Sequence, residues 1–252
     1  MSGPDVTVEQ AGAHVGVVRL NRPPNNYFDT AVIVGVAEAY EELDRSGWCR
    51  AIVLGSEGRH FCAGLDFAAN AGQDIAALYG AALRLFAAPL PVVAAVQGAA
   101  IGGGCGLALS ADFRVATAQS RFSANFSRLG FHHGFALTVT LPSAVGRQTA
   151  ADLLLSGRRV RGEQALALGL CDRLTGEDQL LADAIAYADE LAAAGPLAVR
   201  SIRATLRGGL VEEARLAMEH EYAEQTRLRE TADFAEGVRA AAEMRDPAFR
   251  GE

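Results

Sequence analysis

The sequence predicts an α/β protein with a helical final third. Short β-branched runs alternate with segments of helical period over the first two-thirds of the chain. A glycine-dense turn at 98–106 separates a buried-type strand from an Ala-rich helix. Beyond Gly146 nearly everything has helical periodicity. These observations place an α/β core over residues 1–195 and a helical appendage over 196–252, divided at Gly195-Pro196.

The run 15–20 (Val15, Val17, Val18, Leu20) reads as a strand, because branched side chains suit a pleated, buried surface. Asn21-Arg22-Pro23-Pro24-Asn25-Asn26 breaks it. Asp29 is placed to cap a helix in which Val32, Ile33, Val36, Ala39, Tyr40 and Leu43 recur at helical spacing. Residues 51–54 form a buried-type strand, and 55–64 leave it through a turn. Ile75, Leu78, Tyr79, Ala82, Leu85 and Phe86 mark a second helix, stopped by Pro89 and Pro91. Strands follow at 92–96 and 113–116. The stretch 120–136 reads as irregular and carries Phe122, Phe126, Phe131 and Phe135. The rest is helical apart from a short apolar stretch at 170–174. The last helices, around 210–229 and 233–245, are amphipathic and suited to cover the core or a neighbouring subunit.

Composition narrows the function. Half of the 252 residues are hydrophobic and 21% are charged, as in a globular protein. A net charge of −7 argues against nucleic acid as a partner, since phosphate contacts need clustered positive charge. The first residues lack a signal-peptide pattern and no apolar run reaches membrane-spanning length, so the expectation is a cytoplasmic protein with no membrane partner. Four widely spaced cysteines (49, 62, 105, 171) read as reduced, buried thiols. All 23 basic residues are arginine. A lysine Schiff base and a phosphate loop ending in Gly-Lys are thereby excluded.

Several motifs fail. Gly-x-Gly-x-x-Gly meets Leu107 or Leu109 at its last position, and no Gly-x-Ser-x-Gly occurs. His220-Glu221 lacks a second histidine, and adjacent His132-His133 is poor metal-ligand spacing, so no metal site is expected. The glycines of 98–106 offer something else. A helix start exposes N–H groups without intrahelical partners, and glycine lets main chain approach a ligand closely. Close packing around a tight turn would serve the same residues.

Phe61-Cys62-Ala63-Gly64-Leu65-Asp66 and Pro91-Val92-Val93-Ala94-Ala95-Val96-Gln97-Gly98, followed by Gly102-Gly103-Gly104-Cys105, closely resemble the crotonase superfamily, the enoyl-CoA hydratase/isomerase family. Asn21-Arg22-Pro23, 111–116, Ser156-Gly157-Arg158, 165–170 and 236–240 extend the likeness from about Val6 to Phe249. The resemblance implies a spiral of ββα units, a C-terminal trimerisation region, and a homotrimer or hexamer. It also implies an acyl-CoA thioester as substrate, with coenzyme A part of that substrate and no tightly bound cofactor. The thioester carbonyl would lie between the N–H groups of Leu65 and Gly103. Such donors lower an enolate barrier by about 2.7–4 kcal/mol each in measured cases. Asn25, Ala63, Asp66 and Phe67 map to the nucleotide and pantetheine path, although Asp66 would equally cap a helix and Asn25 would equally form a plain turn.

The chain departs from the family where hydration is catalysed. The positions of the two hydratase glutamates fall on Gly106 and Phe126, and that of an isomerase aspartate falls on Gly134. His132 and His133, on the same loop, are the candidate acid–base groups, against a role as hydrogen-bonded loop residues. Ser123, Asn125, Ser127 and Arg128 would bind substrate or stabilise the loop. Tyr27 and Tyr79 would enter the pocket or pack in the core. Arg203, Arg207 and Arg245 replace by type the lysine that family members use for CoA phosphate, or form a solvated helix face. Enolate chemistry other than ordinary hydration is the leading expectation. A non-catalytic acyl-CoA-binding subunit and a weak hydratase using other residues are its rivals. Polar groups retained near the Leu65/Gly103 turn would favour catalysis.

Overall fold

A computed structural model describes residues 5–66 and 74–252 of the chain. In chain order its elements begin with β1 (Val6–Ala11), β2 (Val15–Leu20), α1 (Thr30–Arg45) and β3 (Ala51–Ser56). Next come α2 (Ile75–Ala87), β4 (Val92–Val96), β5 (Ala99–Ile101), α3 (Gly103–Ser110), β6 (Phe113–Thr117) and β7 (Arg121–Ser123). A 3-10 turn (Asn125–Leu129), α4 (Leu137–Val145), α5 (Arg147–Ser156), β8 (Val160–Arg161), α6 (Gly162–Leu168) and β9 (Arg173–Thr175) follow. Four helices finish the chain: α7 (Leu180–Ala192), α8 (Pro196–Leu206), α9 (Leu210–Leu228) and α10 (Ala232–Ala242).

The main sheet has the order β1-β2-β3-β4-β6-β9, antiparallel at β1/β2 and parallel elsewhere. Its central strands are buried on both faces, which is why they read as continuous apolar runs rather than alternating ones. Alternate residues still separate. Val15, Val17, Val53 and Val93 pack on α7, whereas Val18, Ile52, Leu54 and Val96 face the larger core under α1, α2 and α3. Each buried Val, Leu or Ile contributes about 1.5–3 kcal/mol relative to exposure. The first early helix starts where its expected cap lies, with Asp29 accepting from Val32 N–H at 2.9 Å, whereas the second is capped not by Asp66 but by Asp74, which accepts from Ala77 N–H at 3.0 Å.

A small second sheet, β5-β7-β8, carries the chain away from the carboxyl ends of the main strands. β4 turns into β5, β6 turns into β7, and β3 leads to Cys62, which bridges Ala100 in parallel. This repeat is the ββα spiral that the resemblance implied. β1, β5, β7 and β8 were not legible beforehand. β5 lies inside the glycine-dense segment, and β7 and β8 span only three and two residues. Among the described residues no helix is long and apolar enough to cross a membrane.

Candidate active site

Cys62 fixes the geometry of the site. Its N–H donates to Ala99 O and its C=O accepts from Ile101 N–H, each at 3.0 Å, so 62–65 runs beside β5. Phe28 N–H donates to Gly64 O at 3.0 Å and holds the other side of that segment. Leu65 then directs its own N–H away from the Phe28 bridge. Gly103 is the first residue of α3, where an N–H has no intrahelical acceptor. Neither N–H donates a hydrogen bond among the described residues, and both residues line one cavity of about 80 Å³. That space holds several waters, or a small acyl group.

Glycine is required at three points of this turn. Gly102 has φ +57°, ψ −121°, a region closed to side chains, while its N–H donates to Ser123 O at 2.7 Å. A Cβ on Gly104 would lie 2.1 Å from Cys62 O, and one on Gly64 would lie 2.8 Å from Ile101 O. Tight packing and two presented donors are therefore the same construction.

The three acidic positions of the family have been filled. A Cβ at Gly106 would stand 2.6 Å from Phe135 Cβ, so the phenyl group of Phe135 occupies the volume of a side chain there. A Cβ at Gly134 would meet Tyr79 Oη at 1.9 Å and Gln225 Nε2 at 2.6 Å. Phe126 lies on the cavity wall itself, with Phe28, Phe131 and Phe135. No carboxylate or imidazole is among the described residues lining the cavity. The polar lining consists of Tyr79, Asn125, Gln225 and Arg229.

Tyr79 Oη is 3.2 Å from Gln225 Oε1 and accepts from Phe135 N–H at 3.3 Å. Burial, with the Glu221 carboxylate nearby, raises its phenol well above the usual range. It is a proton-bearing group throughout the neutral range. Gln225 is oriented in turn by donating Nε2 to His132 O at 3.0 Å. Arg229 lines the wall beside Phe131, and burial lowers its guanidinium. Gln225 and Arg229 were missed in the sequence, yet α9 carried a signal. Ala214, Met218, Glu221 and Gln225 form its buried face, and two of the four are polar.

His132 and His133 are brought together but not to the cavity. Their rings stack at 4.1 Å, and neither lines the wall. His132 Nδ1 is 2.8 Å from His133 O. His133 Nε2 is 2.9 Å from Thr138 Oγ1 and 3.8 Å from Glu221 Oε1. Burial beside two other imidazoles pushes His133 down to about 4, so its ring is neutral. Glu221 is fully buried and accepts from Ala136 N–H at 2.9 Å, Thr138 N–H at 3.0 Å and Thr138 Oγ1 at 2.6 Å. It caps α4 from another helix, and burial raises its carboxyl.

The other sequence candidates divide. Ala63 lines the cavity. Asn25 does not, but its C=O accepts from Ala63 N–H at 2.9 Å and so positions it. Asp66 is described but is not in the lining, and the cap of α2 is Asp74. Phe67 lies outside the described residues. Arg203 and Arg207 are neither CoA ligands by placement nor a solvated face. Both bind Asp112, at 2.9 and 2.7 Å, on the far side of α3. Arg245 pairs with Glu236. All four cysteines are buried free thiols, and burial pushes Cys105 up to about 12, so it is no nucleophile.

The ββα spiral thus sets two main-chain N–H groups, without acceptors among the described residues, at one apolar cavity, a geometry of the kind that suits a developing oxyanion. Residues 10–252 match the family model described as Enoyl-CoA hydratase/isomerase, and the chain belongs to that family. It is 30% identical over 260 residues to the enoyl-CoA hydratase EchA19 of Mycobacterium tuberculosis, across 99% of this chain and 97% of that one. It is also 30% identical over 252 residues to 1,2-epoxyphenylacetyl-CoA isomerase of Escherichia coli, across 94% of this chain and 95% of that one. The solved enoyl-CoA hydratase/isomerase of Pseudoalteromonas atlantica T6c superposes with a TM-score of 0.88 at 29% identity, covering 98% of this chain and 100% of that one. Those names span different reactions, so the reaction of this chain has to be argued from its own cavity.

Proposed function

We propose that this chain acts on an acyl-CoA thioester whose carbonyl oxygen accepts from the Leu65 and Gly103 N–H groups. The reaction is not hydration but enolate formation by cleavage of the bond between Cα and a β carbon. The observation that carries this reading is the absence of a base. The described lining has no carboxylate or imidazole, and residues 67–73 contain no ionisable side chain. Hydration needs both water activation and proton delivery, each contributing about 10²–10⁴-fold. In decarboxylation of a 2-carboxyacyl thioester the pair of electrons in the bond to the carboxylate carbon passes onto the thioester oxygen as carbon dioxide departs, and no base is required. The enolate then takes a proton at Cα. Tyr79 is the donor this reading favours, in place of His132 and His133, because its hydroxyl is on the wall and theirs is not an available ring. The bulk solvent restores the phenol.

Coenzyme A enters as part of the substrate, along Ala63 and the segment that follows it, and no further cofactor is invoked. The retained Tyr79, Asn125 and Gln225 favour catalysis over a subunit that only binds. Buried reduced thiols suit the cytoplasm. Exposed apolar residues on the last helices suit a homotrimer or hexamer.

The test incubates the purified chain in deuterated water with crotonyl-CoA and with 2-carboxyacyl-CoA esters, and reads products by mass. Cleavage with one solvent deuteron at Cα is expected, with no hydration of crotonyl-CoA. Tyr79→Phe should lower turnover by about 10²-fold or more while leaving ester binding intact. Hydration of crotonyl-CoA at a speed ordinary for an enzyme would overturn the reading. Binding of all esters without turnover would favour the non-catalytic alternative.

A further inference from the structure

A second cleft, of about 820 Å³, opens where the main sheet bends into the small one. Among the described residues it shares no lining residue with the cavity at Leu65 and Gly103. Its floor is made by the carboxyl ends of β3 and β4 (Gly55, Ser56, Gln97 and Gly98), the place where ligands enter open parallel sheets.

The charge of this cleft opposes that of the molecule. The chain carries −7, yet Arg19, Arg59, Arg121 and Arg161 face Glu57 and Glu177 here. Arg19 is bound to Glu57 at 3.0 Å and also to Glu9, so it neutralises Glu57. Among the described residues, the guanidinium groups of Arg59, Arg121 and Arg161 make no hydrogen bond or ion pair. Arg121 and Arg161 are, moreover, direct cross-strand partners in the β7/β8 register. Like charges placed opposite each other in a sheet destabilise it. Among the described residues neither guanidinium is paired with a carboxylate.

His60 sits between these groups with a buried Nδ1 that has no partner. Its position is fixed by main chain: its C=O accepts from Asn26 Nδ2 at 2.6 Å, and its N–H donates to Pro24 O at 3.2 Å. A Cβ at Gly98 would lie 2.5 Å from that Nδ1, so glycine there leaves the ring its space. Burial first, then the charges of Arg121 and Arg59, lower the basicity of the imidazole against the opposing pull of the Arg59 main chain, which favours the neutral ring with its one N–H.

We infer that this cleft is a binding site for a compact phosphate anion of diphosphate size, clasped by Arg59, Arg121 and Arg161 with His60 at its base. Guanidinium forks match phosphate oxygens two at a time, and a dianion between Arg121 and Arg161 turns their repulsion into attraction. Among the described residues no aromatic other than His60 lines the cleft, so recognition falls on the phosphates rather than on a nucleobase. Free pyrophosphate and the diphosphate of a nucleotide share this chemistry.

Calorimetric titration of the full chain with pyrophosphate and with ADP, at constant ionic strength in chloride, tests the assignment. Saturable binding that weakens as salt rises is expected. Equal affinity for the two would identify pyrophosphate as sufficient, and tighter ADP binding would identify the nucleotide as the source. Arg121→Gln and Arg161→Gln should each weaken binding about tenfold, a hydrogen-bonded charge contact being lost. Thermal melting supplies a readout independent of binding heat. Without anion, Arg161→Gln should melt higher than the parent chain, because the cross-strand repulsion is gone. With pyrophosphate, the parent should gain more than the variant. Absence of saturable binding for both anions, or unchanged binding in the Arg121→Gln/Arg161→Gln double variant, would overturn the assignment.

Discussion

Single atoms decide most of the chemistry available to this cavity. The Leu65 and Gly103 N–H groups cannot be removed by changing side chains, but the glycines that present them can be tested. Gly104→Ala would set a Cβ 2.1 Å from Cys62 O, a contact of main chain with main chain that no rotamer relieves. We expect a cost of about 1–3 kcal/mol or more, seen by scanning calorimetry as a fall of about 2–4 °C for each kcal/mol. Restoring the family's first glutamate is a different experiment. Gly106→Glu alone would collide with Phe135, whose Cβ is 2.6 Å from the new Cβ. It should lower the melting temperature and yield no hydration of crotonyl-CoA. Appearance of hydratase activity in that single variant would show that Phe135 yields easily and that the missing carboxylate was the sole obstacle.

At the scale of elements, α4 and α9 are joined by a buried carboxylate. α4 begins at Ala136, in a left-handed conformation without a side-chain cap of its own, and Glu221 of α9 accepts from its first N–H groups. His133 sits against this junction and is held neutral, with its pKa pushed down to about 4. In the unfolded chain a histidine titrates near 6.5. Its contribution to stability is thus fully present above about pH 6.5 and is lost as pH falls toward 4, because the unfolded state takes up the proton first. Burial shifts Glu221 upward, which acts in the opposite direction. Comparison of the parent with His133→Gln isolates the histidine: the parent should lose more stability between pH 6.5 and 4, by denaturant titration. Parallel curves would refute the neutral, buried assignment. This junction also marks the limit of sequence reading. Asp29 caps the helix that follows it and was visible locally, and the cap of α2, Asp74, also lies next to its helix although Asp66 was the residue the sequence pointed to. Glu221 lies 83 residues beyond Thr138, which it caps, so no local pattern pointed to it.

Across the whole molecule, the helical tail does two things. α9 packs on α2 and α4 and lends Gln225 and Arg229 to the cavity wall, so residues after 196 complete the site as well as covering it. α8 has no buried residue, and it exposes Leu197 at 83%, Ile202 at 59% and Leu206 at 81%. Apolar side chains left this open on a helix suit a partner, and the proposed assembly of copies predicts which measurement responds. Light scattering should give a mass of three or six chains, and Leu197→Glu with Leu206→Glu should lower it. A monomer for the parent chain would refute the assembly. The folded chain should survive those substitutions, since neither side chain packs in the core.

The sequence by itself determined the alternation of strands and helices and the first helix with its cap, and its resemblance to a family pointed to the ββα spiral and to the paired segments around Leu65 and Gly103. Those features are written in local signals: β-branched runs, helical spacing, a capping aspartate and glycines that main-chain geometry demands. It also determined that positions 106, 126 and 134 carry no acid. Only the tertiary structure decided what stands there instead. Phe135, Tyr79 and Gln225 reach those volumes from a loop and two helices distant in the chain, and His132 and His133 turn aside to the α4–α9 junction. The two unpaired donors at Leu65 and Gly103 follow from nearby glycines. That Tyr79 shares their cavity depends on how distant elements pack, and side-chain packing of that range leaves no period or spacing for a sequence to display.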